Sequence, residues 1–422
     1  MQRTRGRHAR PEPRRTPYGD ALRIPAYRAL FTADTLSNTG DQIARIALAL
    51  LVFARTDSPS LTAASYAVTY LPWLVGGPLL STLADRYPRR TVMVVCDLIR
   101  AGLVGAMAAP RMPLGALFGL VLLVTLLECP FRSAKSAMLP DLLGDASYAA
   151  GLSLNTAMMH VTQVAGFGAG GALVALVTPR GALLIDAVTF LVSAALIVRL
   201  PLGSPLHKPV GRLRLVADAG SGARLVFGNP TTRYITLLAW TVAGFAAAPE
   251  GLAVVYAHAH GGGASAAGLM TAALPTGMAI GALGLTRWLS TSARRRSLLP
   301  LAATQSVLVA ATFANPPLAV AGALWILAGV GAACLIPANE WFVALVPPER
   351  RAAAFGVTGT GVFAAQGLVV AMTGGIAESL PIATVIGISG VTGLVAIVVI
   401  GVAWRARRLQ SGTSSAQVLE AA

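Results

Sequence analysis

Apolar runs long enough to cross a bilayer recur along this chain, and nearly all of its positive charge is confined to the short turns between them. A hydrocarbon layer ~30 Å thick takes about 20 apolar residues of helix, and lipid offers no partner to a bare peptide group. Runs of this kind therefore fold as bundled membrane helices. Charged residues make up 12% of the chain, about half the ~25% of a soluble domain. The runs number twelve, at roughly 29–54, 60–84, 91–109, 113–138, 146–177, 181–200, 233–257, 264–289, 297–314, 317–342, 351–377 and 381–404.

Charge orients them. Of the 33 Lys and Arg residues, 28 fall on one side if the N-terminus is cytoplasmic; Arg55, Arg111 and Arg180 fall on the other, and Arg45 and Arg100 lie within runs. The positive-inside rule then predicts both termini in the cytoplasm. The same reading removes nucleic acid as an expected partner despite a net charge of +16, because the charge flanks apolar segments. The basic, Pro-rich segment 1–28 is expected to be a cytoplasmic tail and not a signal peptide. The least apolar internal stretch, 201–232, is expected to be a cytoplasmic linker in which Leu213, Val216 and Leu225 form a short helix on the membrane surface.

That linker divides the runs six and six. Gly77 and Gly281, Pro130 and Pro337, Pro140 and Pro347, and Gly170 and Gly374 repeat in order about 204 to 207 residues apart. Two same-orientation halves predict a pseudo-two-fold axis along the membrane normal and a site between the halves near the midplane. The expected fold is thus an all-α membrane protein with twelve transmembrane helices in two pseudo-symmetric six-helix bundles, 29–200 and 233–404, and a C-terminal tail at 405–422.

Ionisable groups inside a bilayer cost at least ~2.5–3.5 kcal/mol each and mark cavities or partners. In the first run, Asp34, Asn38, Asp41 and Arg45 share one helical stripe. Mid-membrane Asp41 reads as a proton-exchanging carboxylate or as a structural pair with Arg45. In the fourth run, Thr125, Glu128, Arg132 and Lys135 form a second stripe in which Glu128 and Arg132 can pair. Arg132 and Lys135 can also snorkel to headgroups. Asp97 and Arg100 read as a clamp beneath the basic turn. Asp186, Glu250 and Glu340 are weaker candidates; His160 reads as a packing residue, and Trp240, Trp325 and Trp341 as interfacial anchors or stacking surfaces. Gly166, Gly168, Gly170 and Gly171 allow close helix packing. Cys96, Cys129 and Cys334 lie in apolar runs, so neither a disulfide framework nor a metal site is expected. No phosphate loop, zinc spacing or nucleophile–base set is present, and neither an enzyme nor a cofactor is expected.

The turn after the second run reads Ser81-Thr82-Leu83-Ala84-Asp85-Arg86-Tyr87-Pro88-Arg89-Arg90. It resembles the G-x-L-A-D-R-x-G-R-R signature of the major facilitator superfamily, with Ser81 and Pro88 in place of the two glycines. The resemblance covers the chain from about 25 to 404. It implies that Ser81, Asp85, Arg86, Arg89 and Arg90, with Asp97 and Arg100, form a cytoplasmic latch, Asp85 meeting the start of the eleventh helix. The segment Gly166-Phe167-Gly168-Ala169-Gly170-Gly171 is similar to the antiporter pattern G-P-x-x-G-G, with Phe167 replacing proline. Asp97-Leu98-Ile99-Arg100 together with Asp186-Ala187-Val188-Thr189-Phe190 looks like the macrolide-efflux and enterobactin-exporter branch. The resemblance implies a monomeric secondary transporter of the cytoplasmic membrane that exports a small lipophilic molecule against protons. Asp41 would be its protonation switch, tuned by Arg45, and Glu128 part of its cavity. Metabolite import and a non-transporting sensor on the same fold are the alternatives.

Overall fold

The computed structural model describes residues 17–200, 215–347 and 350–420, with the side chains of 17–18, 75–86, 145–146, 149, 215–219, 352 and 407–420 left aside. Every described element is helical. After α1 (Pro17–Arg23) come α2 (Pro25–Thr56), α3 (Pro59–Arg86) and α4 (Arg89–Met107). The next element, α5 (Leu114–Val198), is broken by left-handed backbone at Gly144 (φ 62°) and Thr178 (φ 69°) into segments 114–143, 145–177 and 179–198. Proline after Thr178 bars the helical region to that residue and makes the second break sharp.

The remainder comprises α6 (Leu215–Gly228), α7 (Pro230–Ala259), α8 (Ala264–Trp288), α9 (Thr291–Arg296) and α10 (Leu298–Ala310) with its 3₁₀ extension. It continues through α11 (Leu318–Ala332), α12 (Leu335–Leu345), α13 (Arg351–Ile376) and α14 (Ile382–Glu420). The apolar runs fall on these helices and segments, most of them on a single one. Among the described residues, seven helical stretches are long and apolar enough to cross a membrane. Charged α2 is not among them. The run expected at 317–342 is two helices, interrupted at Ala333–Cys334, with Pro337 inside the first turn of α12.

Helix ends follow local chemistry. Proline occupies the first turn of α2, and its C-cap Asp57 turns left-handed (φ 52°) so that its N–H reaches Phe53 O. Asn229 caps α7 by accepting from Thr231 N at 2.8 Å, with Pro230 following. The short helix expected in the linker is α6. Its Val226 is fully buried and Leu225 packs with it against α7, α12 and α13, while a Cβ on Gly222 would stand 2.4 Å from Ala353 O. α6 therefore docks on α13; Leu213 falls outside the described residues, and the Val216 side chain is among those left aside.

Apolar packing divides the molecule in a way that positions the site. One buried cluster joins α2 and α3 (Phe53, Ala63, Tyr66, Tyr70) to α7, α8, α11, α13 and α14 (Tyr256, Met270, Trp325, Val370, Ile386). At the opposite end the clusters are separate among the described residues. One holds Leu30, Met93, Phe131 and Ile197 from α2, α4 and α5; the other holds Val226, Leu298, Phe342 and Ile397 from the C-terminal helices.

Candidate functional site

Between the two helix sets lies a cavity of about 270 Å³. The N-terminal set contributes Asn38, Gln42, Arg45, Tyr70, Trp73, Glu128, Arg132, Met159 and Gln163; the C-terminal set contributes Glu250, Leu274, Met278, Phe363 and Gln366. Trp73 stacks on Phe363 at 5.0 Å between ring centroids, and the Arg132 guanidinium lies 5.4 Å over the other ring system of that pair, Trp73. A second, smaller cavity of about 50 Å³ sits deeper in the N-terminal set and is lined by Asp41, Arg45, Thr125, Arg100, Glu128 and Asp186, among others. Arg45 and Glu128 line both, so the two spaces adjoin.

The charges between these cavities pair across helices more than along them. Arg100 Nη2 donates to both Asp41 oxygens at 2.9 Å, with Arg100 only 2% exposed. This overturns the pairing of Asp41 with Arg45. The Arg100 guanidinium, packed 4.1 Å over the Phe190 ring, is buried and needs a carboxylate, whereas Arg45 borders the roomier cavity. The Asp97–Arg100 pair that their spacing predicts is also present, as a longer contact. Asp97 is 3.9 Å from Arg100 but takes its hydrogen bond from Ser193 at 2.6 Å.

Asp34 pairs with Lys135 Nζ at 2.6 Å, so Lys135 bridges two helices and does not snorkel. Asn38 donates to Asp34 O within its own helix. Glu128 and Arg132 pair along the helix as their spacing predicts, at 2.6 Å. Among the described residues Arg45 and Glu250 have no hydrogen-bond or ion-pair partner, and both face the central cavity from opposite sets. Glu250, Trp73 and Phe363 are the cavity residues that sequence reasoning undervalued or missed. Glu250 is a lone carboxylate in its run, and single aromatics carry no spacing signal.

The latch residues Ser81, Asp85 and Arg86 fall outside the described side chains. Arg89 donates to Ala137 O and Asp141 Oδ2, both at 2.6 Å, and Arg90 to Leu200 O at 2.9 Å. These two arginines thus fasten the turn to their own helix set. Arg294 and Glu340 make the corresponding tie in the other set at 2.7 Å.

The glycines of α5 sit where backbones meet. A Cβ on Gly166 would stand 2.6 Å from Gln42 Cβ, on Gly170 3.1 Å from Ile43 Cα, and on Gly171 2.7 Å from Gly268 Cα. The first two seat α5 on α2, and the third joins the two helix sets. Nearby, Glu378 in the α13–α14 turn accepts from Ser58 Oγ at 2.5 Å and Ser60 N at 3.0 Å, at the first turn of α3. Hydrogen bonds from the Ser58 hydroxyl and then from Ser60 hold this exposed carboxyl below the usual range. Phe53 meets the His258 ring edge-on at 5.0 Å. Trp325 is fully buried, its Nε1 donating to Thr312 Oγ1 at 3.2 Å, and so is no interfacial anchor. No metal-ligating group of three or more side chains occurs among the described residues.

A family model described as Major Facilitator Superfamily matches residues 30–249, just over half of the chain. This chain belongs to the major facilitator superfamily. As a member of that superfamily it is a multi-pass membrane protein. Curated relatives include the multidrug efflux pump Tap of Mycobacterium tuberculosis, 28% identical over 234 residues, which are 52% of this chain and 55% of Tap. The MFS-type transporter YkuC of Bacillus subtilis is 27% identical over 187 residues, 43% of each chain. The chain thus spans about half the length of the curated relatives it matches. Among solved structures, an inward-facing bacterial homologue of the iron transporter ferroportin superposes with a TM-score of 0.70 at 16% identity, covering 91% of this superfamily member and 98% of that chain. Nucleoside transporter NupG gives 0.66 at 16% identity, covering 90% and 98%. These likenesses are of fold.

Proposed function

We propose that this protein is a secondary active exporter of a small lipophilic molecule, coupled to protons and working by alternating access. In this reading it lies in the cytoplasmic membrane as a monomer with both termini inside and twelve spanning helices in two sets, 29–200 and 233–404. The observation that carries it is the central cavity: an aromatic and methionine surface for an apolar body, beside charged groups that adjoin a buried Asp41–Arg100 pair. Secondary transporters place substrate and coupling ion between their repeats in this way.

The charge distribution favours a cytoplasmic identity for the end where the two helix sets have separate apolar clusters. The conformation described here is then inward-facing, and lipophilic cargo would enter from the cytoplasm or inner leaflet. Asp41 is the protonation switch, with Arg100 and not Arg45 as its cation. A proton arriving on Asp41 releases Arg100, and rocking of the two sets exposes the cavity outward. By the resemblance, Asp85 closes the cytoplasmic side against the start of α13. Each charge moved across 100 mV supplies about 2.3 kcal/mol. Export is favoured by the likeness to a pump whose printed name is multidrug efflux, and by the glycine series at the α5–α2 and α5–α8 contacts. Asn38, Gln42, Gln163 and Gln366 in the cavity lining support a second reading, import of a polar metabolite.

Everted vesicles energised by a proton gradient test the proposal, with ethidium as probe. Ethidium accumulation that collapses with the gradient is expected, together with its loss in Asp41→Asn. Coupled accumulation that survives in Asp41→Asn would show the switch to lie elsewhere, and no flux of ethidium or of a polar metabolite panel would favour a sensor.

A further inference from the structure

Five carboxyl groups and four cations face the interior of the N-terminal set: Asp34, Asp41, Asp97, Glu128 and Asp186 against Arg45, Arg100, Arg132 and Lys135. Three of the acids have a cation at 2.9 Å or closer. Asp97 has Ser193 at 2.6 Å and Arg100 at 3.9 Å. Asp186 has none within 4.0 Å among the described residues.

Asp186 is buried. It is 1% exposed; its Oδ1 accepts from Thr189 Oγ1 at 3.1 Å, and its Oδ2 has no partner. Gly40 of α2 packs directly on it, since a Cβ there would stand 2.2 Å from Asp186 Oδ1. Removing a bare carboxylate from water costs several kcal/mol even after relaxation, and here no cation contact repays it. A neutral carboxylic acid avoids most of that cost.

Asp186 nevertheless has an outlet. It lines the same cavity as Asp41 and Arg100, and about 50 Å³ is ample for a bridging water. The charged groups around it are Asp41 and Arg45 from α2, Asp97 and Arg100 from α4, and Glu128 from the first segment of α5; Thr189 is its neighbour on its own segment. Arg100 is in contact with one of these carboxylates and near another, and its Nε is unpartnered.

We infer that Asp186 holds a proton in this conformation and hands it to Asp41 when Arg100 changes partner. The Asp186 O–H bond breaks, an O–H bond forms on Asp41, and the Arg100 guanidinium moves from Asp41 to the Asp186 carboxylate. One proton and one cation exchange places, so the cluster keeps its net charge and no bare ion is left in the interior. The inference rests on the proton-coupled reading and assigns its proton a resting place away from the central cavity.

Two measurements on the full-length protein separate this from failure of the transport reading. Infrared spectroscopy in lipid nanodiscs at neutral pH reads the carbonyl band of protonated carboxyls without any substrate. Because unpaired Glu250 can contribute to the same region, the readout is the difference from wild type: one component of the band is expected to be lost in Asp186→Asn, retained in Asp97→Asn, and shifted in Asp186→Glu, which keeps a titratable group if Asn fails to fold. In everted vesicles, Asp186→Asn is expected to lose gradient-driven ethidium accumulation, with partial recovery in Asp186→Glu. A spectrum unchanged from wild type in Asp186→Asn, or a component that disappears in Asp97→Asn instead, overturns the assignment, as does wild-type coupling and pH profile in Asp186→Asn. If wild-type vesicles show no proton-linked ethidium flux while the band still belongs to Asp186, the transfer to Asp41 is overturned and the location of the proton stands.

Discussion

Arg100→Met is the substitution whose cost the structure specifies most fully. Methionine fills the space of the arginine stem, so the change removes charge with little loss of packing. It strands the Asp41 carboxylate, which loses both of its 2.9 Å hydrogen bonds, and leaves Asp97 with Ser193 alone. Removing one partner of a buried pair costs about 3–5 kcal/mol, because the other charge stays uncompensated. Loss of the guanidinium stacked 4.1 Å over Phe190 adds roughly 0.5–2 kcal/mol. A destabilisation of about 3.5–7 kcal/mol is therefore expected, read as the shift in reversible unfolding in mixed micelles. The companion Asp41→Leu removes the stranded charge, so the double variant should recover part of the loss, with a coupling of about 0.5–3 kcal/mol in the double-mutant cycle. An Arg100→Met protein within about 0.5 kcal/mol of wild type would behave like a surface substitution and refute the argument. So would strict additivity with Asp41→Leu.

Two further outcomes follow from the contacts between the helix sets. Gly171→Ala places a methyl 2.5 Å from Ala264 O and 2.7 Å from Gly268 Cα, so α5 and α8 must separate; a loss of about 1–3 kcal/mol is expected, whereas Gly168→Ala, 3.9 Å from Ala272 Cβ, should be neutral within error in the same unfolding assay. Glu378→Gln should loosen the joint at Ser58 and Ser60, and labelling of a cysteine placed at Ala246 by an impermeant reagent from outside should quicken; an unchanged rate would refute the joint. Because those bonds lower the Glu378 carboxyl in the joined state, their contribution is present above the ordinary range near ~4.3 and is lost as pH falls through the lowered value.

Where the sequence was legible, one rigid constraint was acting. Lipid forbids unpaired backbone, so apolar runs became helices at the expected places, and the i,i+4 spacing of Glu128 and Arg132 became a contact because one helix fixes both positions. Where two helices must meet, spacing is silent. Asp41 lies one turn from Arg45 in sequence and yet holds Arg100, 59 residues away, and Lys135 reaches back 101 residues to Asp34. The Ala333–Cys334 break and the docking of α6 on α13 are tertiary in the same sense. Glu250 illustrates the converse. A solitary carboxylate in an apolar run carries no partner in its own segment, and its value appears only when Arg45 arrives on the facing wall of the cavity.

The kinds of contact are also distributed unevenly, and the distribution bears on how the molecule can move. Among the described residues, every ion pair lies inside one helix set: Asp20–Arg23, Asp34–Lys135, Asp41–Arg100, Asp97–Arg100, Glu128–Arg132 and Arg89–Asp141 in the first, Arg294–Glu340 in the second. Separating the buried ones would cost several kcal/mol each, which holds a set together as a unit. The joints between sets are of other kinds: the Trp73–Phe363 stack, the Phe53–His258 edge contact, the Gly171–Gly268 backbone contact and the hydrogen bonds of exposed Glu378. An aromatic pair contributes about 0.5–1.5 kcal/mol beyond its burial. Water can replace the partners of an exposed carboxylate at little cost, and glycine contacts carry no side chain to strand. Motion that parts the sets therefore breaks the weak contacts and spares the strong ones, so rocking of two rigid bodies about the central cavity is the low-energy path this arrangement of charge allows.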